Sequence, residues 1–148
     1  MSLPEQITAD IKKAMLAREK AKLEALRAVK AAFMLEGTKD GSGEVSEETA
    51  VAIVQKLVKQ RKDASTIFKE QGREDLAKDE DYQIGVLSIY LPAQMDEDEV
   101  RKAVQDTIAQ VGAAGPQDMG KVMGPLMDKL KGKADGKLIS ALVKQCLA

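Results

Sequence analysis

Five lysines and four glycines near the C-terminus have the types and spacing that point to a ligand. Lys129, Lys131, Lys133 and Lys137 surround a loop containing Gly132 and Gly136, and Lys121 lies upstream between Gly120 and Gly124. A mobile lysine-bearing loop beside a helix N-terminus can contact phosphate oxygens through ammonium charge and backbone N–H groups. The same lysines also describe an ordinary solvated surface, where charge runs usually lie. Gly120 and Gly124 are four apart on one helix face and admit close backbone approach, either by another helix or by a ligand or nucleic acid. The segment MGKVMGPLM lacks the GxxxxGK[ST] pattern after a strand, which excludes phosphate-loop nucleotide hydrolysis. A second basic stretch, Lys56, Lys59, Arg61 and Lys62, falls mid-helix and reads as a solvated face, with Lys59 and Asp63 at i,i+4 spacing.

Bond-making chemistry finds no support. The chain has no histidine, so the usual general base near neutral pH is missing. Its one cysteine, Cys146, lies on an apolar stripe near the chain end and reads as a small hydrophobe. The serines occupy no nucleophile elbow or SxxK context. Histidine or paired-cysteine metal sites are excluded by composition. Asp79–Asp81 lacks the loop glycine that a calcium site uses, and Asp96–Glu99 reads as a helix start, where acids favour the dipole. The expectation is therefore no catalytic residue, no metal and no cofactor. Phe33, Phe68, Tyr82 and Tyr90 are the four aromatics and read as core, not as a base-stacking platform.

The elements that carry these residues are helical throughout. Leu3, Ile7, Ile11 and Met15 share one face, as do Leu23, Leu26, Val29 and Phe33. Gly37 to Glu44 reads as a loop, followed by a cap at Ser46 and a long helix to Gln71 that Gly72 ends in a left-handed conformation. Val51, Val54, Val58 and Phe68 mark its buried side, with Leu57 and Ile67 beside it. A fourth helix covers Glu74 to Tyr90, with Ile84, Leu87 and Leu91 as its stripe. Gly85 inside it predicts a kink or the close passage of another helix. Pro92 then marks a boundary. Beyond it, Asp96 and Glu99 have capping-box spacing, and Val100, Val104, Ile108 and Val111 form a clean stripe. Pro116 starts the next helix after Gly115. Pro125 should bend or split that helix, and Asp135 caps a last one carrying Leu138 and Leu142. The fold class is all-α: a four-helix N-terminal unit over residues 1–92 and a small three-helix domain over residues 93–148, the second of marginal size for independent folding.

Charge divides unevenly along the chain. Lysine plus arginine number 23 and aspartate plus glutamate 24, giving a net charge of −1 and no global attraction to nucleic acid or membrane. Residues 116–148, however, hold six basic and three acidic side chains. No apolar run approaches the ~18 residues of a spanning helix, so no membrane partner is expected. The single cysteine and the lack of an apolar signal core point to a cytoplasmic protein.

The run DMGKVMGPLMDKLKGKADGKLI, Asp118 to Ile139, closely resembles the YqeY-like family. LRAVKAAF (Leu26 to Phe33), KQRKDA (Lys59 to Ala64), GREDLA (Gly72 to Ala77) and YLPAQMDEDEV (Tyr90 to Val100) also resemble family segments. That family is related to the C-terminal tail of GatB, the tRNA-handling subunit of glutamine-dependent aminoacyl-tRNA amidotransferases. The resemblance implies an all-helical fold with a small C-terminal domain that contacts the body of tRNA, away from the chemistry. It implies tRNA as a partner, or an amidotransferase or aminoacyl-tRNA synthetase complex. A label of carbon–nitrogen ligation with glutamine as amide donor comes by association, without residues here to support it.

Overall fold

The computed structural model describes all of residues 1–148 and contains seven α-helices and no strand. They are α1 (Leu3–Leu16), α2 (Lys20–Lys39), α3 (Glu47–Glu70), α4 (Glu74–Ser88), α5 (Glu97–Val111), α6 (Met119–Leu130) and α7 (Gly136–Leu147), with one 3-10 turn at Pro116–Asp118. The chain divides into two compact units, Met1–Leu91 and Pro92–Ala148.

In the first unit the helix starts follow the cap chemistry. Ser2 and Glu5 form a reciprocal capping box on α1, and the Ser46 hydroxyl accepts from the Thr49 N–H on α3. Leu3 N–H, an orphan donor of the first helix turn, donates to the Glu47 carboxylate of α3 at 2.6 Å, fixing α1 to α3. Ile7, Leu26, Val29, Val54 and Leu87 are fully buried and form the centre of this core. Three polar ties join α3 to α4: Ser65 donates to Asp81 at 2.6 Å, Arg61 donates to Gln83 at 2.7 Å, and Lys69 pairs with Asp81 at 3.3 Å. Tyr90, just past α4, donates its hydroxyl to Asp10 of α1 at 2.5 Å and closes the unit.

Several expectations are corrected here. Gly37 does not open a loop; α2 continues through it to Lys39. A Cβ at Gly37 would lie 2.9 Å from the Gly43 backbone, and the Gly43 N–H donates to the Gly37 carbonyl at 3.0 Å. This glycine makes room for a returning loop, so it is a packing residue. No helix passes close to Gly85, since nothing lies within 4 Å of its built Cβ. The buried residue at the end of α1 is Ala14, while Met15 is exposed, because the 3.6-residue period drifts off a strict four-step. Tyr82 and Ile67 are also exposed, and Phe68 is half-buried.

In the second unit Asp96 caps α5 by accepting from the Glu99 N–H at 2.8 Å, and Gly112 ends that helix at φ 70°. Val100, Val104, Val122, Leu126, Ile139, Leu142 and Val143 build a separate core against which Cys146 packs. Pro125 does not split α6, which remains one helix of 12 residues. The first-turn carbonyls tolerate the missing donor because Pro125 is solvent-facing, while Val122 and Leu126 hold the helix to its neighbours.

Candidate functional site

The lysine region occupies the α6–α7 corner of the second unit. Leu130 ends α6 and Asp135 caps α7, its carboxylate accepting from the Lys137 N–H at 3.4 Å. The intervening loop turns at Gly132, at φ 74°. It is pinned, not the mobile loop expected: the Met95 N–H donates to the Lys133 carbonyl at 2.9 Å. The Gln94 side-chain amide donates to the carbonyls of Gly132 at 2.7 Å and Pro92 at 2.8 Å. Residues before α5 thus hold the loop from one side. No sequence pattern pairs Gln94 with Gly132, 38 residues away, so this contact was invisible before the fold.

Lys121, Lys129, Lys131, Lys133 and Lys137 are all exposed. Lys121 pairs with Asp118 at 3.6 Å, yet its side chain keeps 72% of its surface free, so the ion pair is a weak one. Asp118 is committed elsewhere: it accepts from the Ala114 N–H at 2.9 Å, and that hydrogen bond, more than the Lys121 charge, holds its carboxyl below the usual carboxylate range. Lys131 and Asp135 each have partners inside the chain. The ammonium groups of Lys129, Lys133 and Lys137 enter none of the salt bridges of the fold. The acids of the segment therefore neutralise the cluster only in part.

Gly120 and Gly124 lie on the outer face of α6, both exposed, with nothing within 4 Å of a built Cβ. Packing of another helix of this chain against them is thereby overturned, because the buried face of α6 is the opposite one, through Val122, Leu126 and Leu130. The helix presents bare backbone to solvent beside Lys121.

The first unit carries an open groove of about 410 Å³ between α1, α2 and the loop before α3. Pro4, Thr8, Phe33, Met34 and Val45 line it, with Glu5, Glu44 and Lys30 at its rim. Glu5 is already used by the α1 capping box, and the groove contains no buried polar group that lacks a hydrogen bond. Periodicity had marked Phe33 as core and gave no sign of a groove above it.

The family described as Yqey-like protein matches residues 4–147. A fungal relative, altered inheritance of mitochondria protein 41, mitochondrial, of Pyrenophora tritici-repentis, is 28% identical over 95% of this chain and 78% of its own length. Two archaeal glutamyl-tRNA(Gln) amidotransferase subunits E match in part. That of Thermococcus gammatolerans is 40% identical over 34% of this chain and 9% of the subunit. That of Methanococcus maripaludis is 39% identical over 42% of this chain and 10% of the subunit. The chain thus spans about a tenth of the amidotransferase subunits it resembles.

Proposed function

This chain belongs to the Yqey-like protein family, and from that premise we propose that it is a tRNA-binding accessory module whose second unit contacts the phosphate backbone. The observation that carries the reading is the group Lys129, Lys133 and Lys137, exposed and outside any ion pair, at the end of α6, in the α6–α7 loop and in the first turn of α7, with the loop held in place by Gln94 and Met95. A fixed basic loop loses less freedom on meeting phosphates than a mobile one. The outward face of α6, with Gly120 and Gly124 uncovered, leaves room for a nucleic-acid backbone next to Lys121. The partial likeness to subunits whose names specify glutamyl-tRNA(Gln) supports tRNA as the polyanion. Such a module would work in a reducing compartment such as the cytoplasm, where the unpaired Cys146 is stable.

The test is a titration with bulk tRNA at two or more salt concentrations. Lys129→Gln, Lys133→Gln and Lys137→Gln should each weaken binding for all tRNAs alike and lower the salt slope by about 1. Absence of wild-type binding at low salt refutes the proposal. The partial amidotransferase match also favours a second reading, docking on an amidotransferase or synthetase complex; recovery of a stable complex that survives ribonuclease would support it. Turnover of glutamine by the purified chain would overturn both in favour of an enzyme.

A further inference from the structure

A second concentration of positive charge lies at the turn between α1 and α2. From residue 12 to residue 20 the sequence KKAMLAREK carries Lys12, Lys13, Arg18 and Lys20 against one acid, Glu19. All four cations are exposed, and Glu19 is engaged with Lys22 at 3.6 Å. At the apex two large apolar side chains face solvent, Met15 at 53% and Leu16 at 78% exposure.

Folding alone does not account for this arrangement. Lys12 and Lys13 near the end of α1 suit the helix dipole. Lys20 and Lys22 do not: they open α2, where positive charge is disfavoured, with no acid in the first turn and no side-chain cap from Glu19. Arg18 holds φ 57°, a left-handed conformation for which glycine is the ordinary choice. Exposed Leu16, misplaced lysines and a left-handed arginine each break a local rule within one turn, and such coincidences concentrate at functional sites.

We propose that this turn is a second RNA contact, in which Lys12, Lys13, Arg18 and Lys20 take phosphates while Leu16 and Met15 pack against an exposed base or ribose face. Structured RNA offers anionic backbone and flat apolar surface within a few ångströms of each other, which matches both features of the patch. The inference rests on the tRNA reading above and extends it to a two-point attachment, one contact per unit, in which the first binding event raises the effective concentration of the second.

The experiment uses the full chain, bulk tRNA and a salt series. The combined variant Lys12→Gln, Lys13→Gln, Arg18→Gln and Lys20→Gln should lower the salt slope by about 3–4. Leu16→Ala should weaken binding roughly tenfold with the slope unchanged. If the fourfold variant loses helicity, the Lys12→Gln/Lys13→Gln pair on the intact end of α1 gives the same measurement, with an expected slope change of about 2. Wild-type binding whose slope is insensitive to these changes, while the Lys129, Lys133 and Lys137 variants reduce it, overturns this inference and leaves the tRNA reading standing. Wild type that fails to bind at low salt overturns both. Vesicles containing phosphatidylserine serve as the comparison. Loss of vesicle binding in these variants with tRNA binding intact would assign the patch to a lipid surface and refute the RNA contact.

Discussion

Truncating Leu126 to alanine separates the fate of the two units. Leu126 is fully buried on α6, in a core shared with Val100 and Val104 of α5 and Leu142 of α7. It adjoins Pro125, so α6 already lacks one backbone hydrogen bond there. Leu→Ala in such a core costs about 2–5 kcal/mol, through lost apolar transfer and the cavity left behind. A unit the size of Pro92–Ala148 has a total stability of about 3–9 kcal/mol at ordinary per-residue values. The substitution therefore removes most of the margin of the second unit and none of that of the first, which has its own core around Ile7, Leu26 and Leu87. The expected result is biphasic urea unfolding followed by circular dichroism. An early phase would report α5–α7, and a later phase would stay at the wild-type midpoint. The tRNA binding proposed for the lysine region should vanish with the early phase. A single transition in which α1–α4 unfold together with α5–α7 would refute the reasoning, because it would mean that the two cores share one cooperative unit.

Two further outcomes test the polar ties of the first unit. Tyr90→Phe removes a hydrogen bond to a carboxylate and should cost about 1–2 kcal/mol at neutral pH, measured by urea unfolding. Burial, with the Asp10 carboxylate beside it, raises the Tyr90 pKa above the ordinary tyrosine range, so the folded chain keeps a proton that the unfolded chain releases above pH ~10. Stability should fall as pH rises past that point, and the gap between wild type and Tyr90→Phe should narrow there; a gap constant with pH would contradict this. Ser65→Ala removes the hydroxyl whose hydrogen bond, with help from Lys69, holds Asp81 below the usual carboxylate range. That contribution is present above the unfolded pKa and is lost as pH falls through the folded one. The variant should therefore be less stable at neutral pH and converge with wild type in acid, as read from paired unfolding curves at descending pH.

Local features are legible in the residues alone. Cap residues act on the backbone within three positions, so Ser46, Asp96 and Asp135 announced the starts of α3, α5 and α7, and Gly72 the end of α3. Apolar periodicity located Val100 and Val104 on α5, because a helix face is a property of one segment, but on α7 it marked Leu138, which is only partly buried, while Ile139 and Val143 are buried beside Leu142. Tertiary structure decided what depends on a distant partner. Gly37 looked like a breaker until the returning backbone of Gly43 was placed against it. Gly120 and Gly124 looked like packing glycines until the fold left them uncovered. The lysine loop looked mobile until Gln94 and Met95 were brought to its carbonyls. The charge of the α1–α2 turn was in the sequence, but its meaning was not. Whether Leu16 is core or surface depends on which face of α1 meets α2 and α3, and a single amphipathic segment with residues at the edge of its stripe does not fix that rotation.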